Sequence, residues 1–338
     1  MTTCTNSLPP LKRRPPVFRK ILLGVALGST VSVACAQSAS TTLTFGILST
    51  ESSPNFKQDW QSVLDDMSKQ IGVKVVPEFG ADYAGLVRGM YNKQIQFAWL
   101  GNKAAIEAVD RANSEVFAHT VNKDGSLGYY SVVSVHKDSP YKNLDDILKN
   151  AKSINFGMGD LNSTSGYVVP NYYIFAKHNL NPATAFKSLR NASHEANIQA
   201  VANKQLDAAV HATDTLARME EREPNTTRQL RQVWKSPLIT ADPIVWRKDL
   251  PPELGAKIKE FFLGYGKSGP HAAQQKAVLN RLTLSGFRES SNTQLKPIRQ
   301  LDLFKEKVKL EADTAMAAEE KKARLEIINR KLEALEKS

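Results

Sequence analysis

The strongest constraint on the fold is a regular alternation of short apolar runs with amphipathic helical segments. In the first such helix, residues 55–71, large apolar side chains recur at Phe56, Trp60, Leu64 and Met67, the spacing of one helix face. Repeated strand–helix–strand units predict an α/β fold, with a mostly parallel sheet flanked by helices. The predicted elements here are strands LTFGILST, VKVVPEF and IQFAWLG and helices Asn55–Ile71, Ala84–Asn92 and Lys103–Arg111.

The same alternation continues after a strongly β-prone run, YYSVVSVHK. A chain of 338 residues is too long for one small core and suits two lobes with appendages. The further predicted strands are SINFGMG, FKSLRNAS, LDAAVHA, RQVWKSP and DPIVWRK, and the helices are NLDDILKNA, Gly166–Asn179, Glu195–Asn203 and Pro251–Tyr265.

Beyond Arg299 the composition shifts to Ala, Glu, Lys, Arg and Leu, which are strong helix formers. Leu325, Ile328, Leu332 and Leu335 recur at spacings of three, four and three, an apolar seam of the coiled-coil type. This pattern predicts a C-terminal helical extension. Its seam either packs on its own lobe or forms a homodimer contact.

The first 36 residues have the pattern of a bacterial secretory signal peptide. Five basic residues precede an apolar run, Ile21–Ala34, which is too short to span a bilayer and ends at the small-residue site Ala34-Cys35-Ala36. We expect cleavage after about Ala36 and a periplasmic protein. Acylation of Cys35 is the weaker alternative, because Ser32 stands where a branched apolar residue is wanted.

Cleavage there changes two global properties of the chain. It removes both cysteines, so no disulfide or thiol chemistry is expected. It also lowers the formal charge from +11 to +6, because the segment holds five basic residues and no acidic ones. A nucleic-acid partner is therefore not expected. No cofactor is expected either.

The loop NFGMGDLNSTSGY joins a predicted strand to a predicted helix and carries Ser163, Thr164 and Ser165. It is neither a dinucleotide fingerprint nor a P-loop, and Ser165 lacks the context of a hydrolase nucleophile. Hydroxyls at a helix start either cap free N–H groups or turn toward an anion beside them. The residues alone leave both readings open. No catalysis and no metal site are predicted.

Other polar residues follow strands at comparable places. Tyr83 lies near a helix start in FGADYAG, and Tyr129 lies where the chain would cross between lobes. Asp214 and Asp242 come directly after strands. Each of these side chains could serve a ligand or only pack and cap locally.

The sequence resembles a known family in several long stretches. This family is the periplasmic phosphonate-binding proteins of bacterial phosphonate ABC transporters. The resemblance runs from about Phe45 to Phe304. The matching stretches are FGILSTESSPN, DYAGLVRGM, NKAAIEAVDRAN, KDGSLGYYSV, GDLNSTSGYVVPNYYIFAK, HEANIQAVANKQLDAA, WKSPLITADPIVWRKDL and PIRQLDLFKE.

The resemblance implies a two-lobed periplasmic-binding-protein fold of type II, with two chain crossovers. Lobe 1 would comprise residues 42–128 and 243–300, lobe 2 residues 129–242, and the helical extension residues 301–338. It also implies a ligand site in the cleft. The phosphonate group would be held by Tyr83, Ser163, Thr164, Ser165 and His194, and the amino end by Tyr129, Asp214 and Asp242.

Two departures from the family pattern concern the amino end of the ligand. Asp214 stands where a glutamate is expected, and Leu100 stands in WLGN where a tyrosine is expected. The implied function is capture of phosphonates such as 2-aminoethylphosphonate for delivery to an ABC transporter permease. A receptor for another oxyanion, such as phosphite or a phosphate ester, is the alternative.

Overall fold

The computed structural model describes residues 42–48 and 50–337, so the predicted signal peptide, Cys35 included, lies outside the described residues. Two larger sheets and one short strand pair make up the β-structure of this part. The strands are β1 (Thr42–Ile47), β2 (Lys74–Phe79), β3 (Phe97–Trp99), β4 (Ser114–Asn122), β5 (Gly128–Tyr129), β6 (Ser131–His136), β7 (Asn155–Met158), β8 (Ser188–Asn191), β9 (Ala208–Ala212), β10 (Leu230–Lys235), β11 (Ile239–Thr240), β12 (Pro243–Arg247) and β13 (Leu284–Glu289).

The α-helices are α1 (Pro54–Ile71), α2 (Tyr83–Tyr91), α3 (Asn102–Arg111), α4 (Leu144–Lys149), α5 (Pro182–Ala185), α6 (His194–Ala202), α7 (Thr213–Arg222), α8 (Pro224–Thr227), α9 (Pro252–Gly264), α10 (Ala272–Arg281), α11 (Lys296–Ala312) and α12 (Ala318–Lys337). Two π-helical turns, Thr164–Val168 and Asn171–Phe175, and a 3₁₀ turn, Ala176–His178, occupy the position of a predicted helix. Residues 164–178 are called the π-helical segment below. Short 3₁₀ turns lie at Ala151–Ser153 and Asn292–Leu295.

The larger sheet has six strands in the order β13-β4-β12-β3-β1-β2. Strand β1 pairs in parallel with β2 and β3, as predicted. Strand β12 pairs antiparallel with both β3 and β4, and β13 pairs antiparallel with β4. The prediction of a mostly parallel sheet was therefore wrong for this half. The chain leaves this sheet after β4 and re-enters it through β12, so the returning strand must run in the opposite direction.

The second sheet has five strands in the order β10-β6-β9-β7-β8 and is also mixed. Strand β7 is parallel to β8 and β9, whereas β6 is antiparallel to β9 and β10. The two connections between the sheets run side by side as the antiparallel pair β5–β11. This is the two-lobed arrangement with two crossovers.

The strands of each sheet can be compared with the lobe ranges that the family resemblance implies. Strands of the six-stranded sheet lie within 42–128 or 243–300, and those of the five-stranded sheet lie within 129–242. The boundary residues themselves stay a prediction. Helix α11 begins at Lys296, so it starts before the predicted extension at 301.

Among the elements that sequence patterns missed are β4, α7, α10 and β13. Strand β4 lies between β12 and β13, yet its sequence SEVFAHTVN is not a continuous apolar run. Ser114, His119 and Thr120 are buried in it, and each forms a hydrogen bond with a backbone carbonyl oxygen. Buried polar side chains that find such partners are tolerated in a central strand, but they hide its apolar pattern.

The core of the six-stranded lobe is aromatic and fixes β1 and α1 relative to the cleft. The Phe45 ring lies 4.9 Å from Phe97, 5.4 Å from Trp60 and 5.8 Å from Phe262, centroid to centroid. Ser53 caps α1 by accepting from the Phe56 N–H. The loop between β1 and α1 is thereby held at both ends.

The C-terminal helices form a hairpin, and α12 packs against α11. Leu310 of α11 is buried together with Ile328 and Leu332 of α12, and Leu325 packs against them. Three of the four predicted seam residues thus contact α11 of the same chain. The seam therefore packs on the other helix of the predicted extension, an arrangement that neither alternative described, and the homodimer contact stays a prediction.

Candidate functional site

The Ser163–Ser165 loop begins where β7 ends, and a pair of glycines shapes it. The Gly159 N–H donates to the Gly166 carbonyl oxygen at 2.8 Å. A Cβ on Gly159 would lie 2.5 Å from the Cα of Gly166, and one on Gly166 would lie 2.7 Å from the Cα of Gly159. Only glycine permits so close an approach of the strand end and the helix start.

The three hydroxyl residues of the loop have different partners. Ser163 is the N-cap of the π-helical segment, because its Oγ accepts from the Gly166 N–H at 2.9 Å. Thr164 Oγ1 accepts instead from the Lys103 N–H, at the start of α3 in the other lobe, at 2.9 Å. Ser165 Oγ lies 3.3 Å from His194 Nε2. Capping of the helical segment that follows the loop therefore accounts for Ser163 alone.

His194 is the first residue of α6 and faces this loop from the same lobe. Its Nε2 lies 3.5 Å from Ser163 Oγ as well, and its Nδ1 is buried with no hydrogen-bond partner among the described residues. Burial lowers the pKa of His194 to about 4, although the charge of Asp214 acts to raise it. The ring is therefore neutral at ordinary pH.

Tyr83 reaches the same place from the other lobe. It is the first residue of α2, which Asp82 caps, and its side chain hydrogen-bonds with Ser163. Burial raises the pKa of Tyr83, and nearby carboxylates, Asp242 first among them, raise it further. The phenol stays protonated and can donate a hydrogen bond.

Tyr129 and Asp242 lie together at the crossovers. The Tyr129 hydroxyl donates to Asp242 Oδ1 at 2.8 Å, and both residues are buried. Burial raises the pKa of Asp242 well above its usual range, and the charge of Asp214 adds to the effect. The influence of Asp214 on Tyr129, Asp242 and His194 shows that these groups share one electrostatic environment.

Asp214 lies in the first turn of α7, a helix that the sequence patterns missed, and Ala212 rather than Asp214 is the N-cap of that helix. Its Oδ2 lies 3.3 Å from Nη1 of Arg218, one helical turn later. Its Oδ1 is buried and has no hydrogen-bond partner within the described part of the chain. Half of this carboxylate is therefore engaged by Arg218, and half is open to another donor.

At the junction of the lobes, the predicted site residues make separate groups of contacts: Tyr83, Ser163, Ser165 and His194 with one another, Thr164 with Lys103, Tyr129 with Asp242, and Asp214 with Arg218. That all eight line one ligand site stays a prediction. Thr164 is only 1% exposed, and His194 is 4% exposed, so the cleft is closed around them. Leu100, the departure from the family pattern, is fully buried between β3 and α3. Arg218 and Lys103 were missed from the sequence. The spacing of four between Asp214 and Arg218, typical of a helical ion pair, was the signal for Arg218.

One edge of the cleft opens into a cavity of about 260 Å³, lined by Tyr83, Asp160 and Ser193 among others. A larger cavity, of about 330 Å³, lies beside α11 and contains none of the predicted site residues. The cavity of about 260 Å³ is the one that adjoins the polar groups of the cleft, because Tyr83 lines it. Across residues 42–48 and 50–337, no helix is long and apolar enough to cross a membrane.

A buried polar cleft between two mixed sheets joined by two crossovers defines the class of extracytoplasmic solute receptors. The family profile of the phosphonate periplasmic substrate-binding proteins of ABC transporters matches residues 45–295. The chain belongs to this family.

Relatives extend the match over most of the chain. The phosphonates-binding periplasmic protein of Escherichia coli is 47% identical over 312 residues, 92% of this chain and 91% of its own. The crystal structure of a binding protein component of a Pseudomonas aeruginosa ABC phosphonate transporter has 49% sequence identity and a TM-score of 0.84, over 88% of this chain and 97% of that one. A phosphate-import protein of Mycolicibacterium smegmatis is 27% identical over 65% of this chain and 71% of its own.

The buried neutral His194 generates a prediction about stability and pH. Unfolded histidine takes up a proton near pH 6.5, whereas folded His194 resists protonation until about pH 4. The contribution of neutral His194 to the free energy of unfolding is fully present above pH 6.5 and is lost as the pH falls toward 4. Relative to His194→Gln, the wild-type free energy of unfolding should fall by about 3 kcal/mol across this window.

Urea unfolding of both proteins between pH 7 and pH 4 measures this difference. The comparison cancels the opposite contribution of Asp242, which both proteins share. Parallel pH profiles for the two proteins would show that His194 is not buried as a neutral ring.

Proposed function

We propose that the protein captures phosphonates in this cleft and delivers them to an ABC transporter permease. The observation that carries the proposal is the convergence, from both lobes, of three hydroxyl residues, Tyr83 and neutral His194 on one buried spot. Export through a signal peptide cleaved after about Ala36 places the receptor in the periplasm.

Hydrogen bonds would hold the phosphonate group, because the loop at Ser163–Ser165 contains no lysine or arginine. Tyr83, Ser163, Thr164 and Ser165 supply hydroxyl donors, and His194 can present an N–H. Hydrogen bonds to a charged group contribute about 1.5–3 kcal/mol each. Several together suffice for micromolar or tighter binding after the costs of association.

The amino end of an aminoalkylphosphonate would lie toward Tyr129, Asp214 and Asp242. The open Oδ1 of Asp214 is a buried acceptor that has no donor within residues 42–48 and 50–337, and an ammonium group would satisfy it. An ammonium would also relieve the repulsion between the two carboxylates that helps to raise the pKa of Asp242. A zwitterionic ligand therefore matches both ends of the cleft.

Binding rather than catalysis is the activity that the geometry favours. A nucleophilic serine needs a histidine oriented by a third group, and His194 Nδ1 has no hydrogen-bond partner in the described residues. We infer that the chain makes and breaks no bond in its ligand. A homodimer through the C-terminal helix stays a prediction.

Calorimetry with four ligands tests the proposed specificity. We expect 2-aminoethylphosphonate and methylphosphonate to bind at least about tenfold more tightly than phosphite or phosphate, a difference of about 1.4 kcal/mol. Phosphate binding as tight as that of any phosphonate would instead identify a receptor for the other oxyanion class. Release of inorganic phosphate from ester substrates would contradict a purely binding role.

The variant Thr164→Val tests the loop. It removes a hydroxyl but keeps the shape, so affinity for every phosphonate should fall by about tenfold or more. Thr184→Val, on the exposed short helix α5, is the matched control and should leave affinity unchanged. Calorimetry measures both. An unaltered affinity in Thr164→Val would remove this residue from the site.

The variant Asp242→Asn tests the amino end. It keeps the size of the side chain but removes its capacity for negative charge. We expect affinity for 2-aminoethylphosphonate to fall by about tenfold or more and affinity for methylphosphonate to change much less. Equal losses for the two ligands would mean that the carboxylate is structural.

A further inference from the structure

A cluster of ion pairs, most of them buried, bridges the two lobes and meets the proposed ligand contacts at Asp214. It contains three carboxylates and three guanidinium groups, so its formal charges balance. We call it the interlobe cluster. Its members are Glu51, Asp59, Asp214, Arg218, Arg222 and Arg281.

The members come from opposite sides of the cleft. Glu51 lies in the loop between β1 and α1, Asp59 lies on α1, and Arg281 ends α10, all around the six-stranded sheet. Asp214, Arg218 and Arg222 lie on α7, which follows β9 of the five-stranded sheet. The pairs between α7 and Glu51 or Asp59 exist only while the lobes are together.

Arg218 links the cluster to the ligand cleft. Its Nε donates to Glu51, and its Nη2 lies 3.2 Å from Thr50 Oγ1, both across the cleft. Its Nη1 lies 3.3 Å from Asp214 Oδ2 in its own lobe. Burial acts to lower the pKa of Arg218, but the charges of Glu51 and Asp214 outweigh it and raise the pKa, so the guanidinium stays charged.

Arg222 makes a second bridge to the same carboxylate. Its Nη1 donates to Glu51 Oε2 at 2.7 Å and to Ser53 Oγ at 3.1 Å. Its Nη2 lies 3.6 Å from Asp59 Oδ2, while Arg281 Nε donates to Asp59 Oδ1 at 2.6 Å. Glu51 is therefore shared by two guanidinium groups of the opposite lobe.

The same loop is held across the cleft at a further point. Glu195 Oε2, at the start of α6, accepts from the Ser52 N–H at 2.7 Å and from Ser52 Oγ at 2.9 Å. Residues 50–53 thus contact both α6 and α7 of the other lobe. Glu51 is 3% exposed and Arg218 is 3% exposed, so their pairing is shielded from water.

We propose that Glu51, Arg218 and Arg222 form a latch that holds the lobes closed, and that Arg218 couples this latch to the ligand by positioning Asp214. Removing one member of a buried ion pair leaves an uncompensated charge, which opening of the cleft would return to water. A variant that lacks one member of the latch therefore favours the open state. The coupling to ligand rests on the proposed function, whereas the closure itself does not.

The latch acts on affinity through the population of the closed state. The apparent dissociation constant rises in proportion as the fraction of binding-competent protein falls. Loss of Arg218 would also disturb Asp214 and the amino end of the ligand. Loss of Glu51 acts through closure alone, because Glu51 is not a proposed ligand contact, and should weaken the binding of every ligand alike. This separates it from Asp242, whose loss should affect aminoalkyl ligands selectively.

The test compares Glu51→Gln with Glu221→Gln. Glu221, on α7, likewise pairs across the cleft, with Lys123 at 2.8 Å. The side chains of Glu221 and Lys123 are, however, about half exposed. For Glu51→Gln we expect about tenfold weaker binding of both methylphosphonate and 2-aminoethylphosphonate, with faster dissociation, and a larger radius of gyration by X-ray scattering of the ligand-free protein. Glu221→Gln should match the wild type.

A double-mutant cycle with Arg222→Gln keeps the test decisive if Glu51→Gln is poorly folded by circular dichroism. Glu51→Gln/Arg222→Gln restores the charge balance, so it should lose less affinity than the sum of the single variants. Additive losses, or wild-type scattering and affinity in both single variants, would overturn the latch. If the wild type binds no phosphonate, the proposed function fails, and scattering of the ligand-free variants still decides the latch.

Discussion

The architecture depends on the pairing of the two chain crossings, β5 and β11. Because these strands lie side by side and antiparallel, the chain leaves and re-enters the six-stranded sheet at one place. That pairing makes β12 run against β3 and β4. It also sets Tyr129, within β5, beside Asp242, just before β12, so part of the proposed ligand site is built on the crossovers themselves.

The cleft separates its polar groups by chemical type. At one end, hydroxyl groups and a histidine kept neutral by burial surround the glycine-shaped start of the π-helical segment. At the other, Asp242 accepts a hydrogen bond from Tyr129, and Asp214 pairs with Arg218. Burial amplifies the difference, because charges and dipoles interact more strongly away from water. Under the proposed function, a ligand with a negative and a positive end would be oriented by this arrangement.

Local sequence patterns predicted most of the elements that carry the candidate site, although not α7, and they did not predict how these elements share partners. The alternation of strands and helices and the hydroxyl loop at Ser163–Ser165 were visible, because they depend on neighbours in the chain. That Ser163 caps its helix while Thr164 binds the start of α3 depends on the closing of two lobes, which no local pattern encodes. The buried polar residues of β4 and its antiparallel neighbours were missed for the same reason.

The absence of lysine and arginine from the loop at Ser163–Ser165 has a consequence for the environment in which a receptor works. Exposed cationic side chains attract anions over a Debye length, and added salt screens that attraction. An anion held by buried hydroxyl dipoles is shielded from this effect. Under the proposed function, phosphonate capture in this cleft would therefore depend much less on ionic strength than capture by exposed cationic side chains.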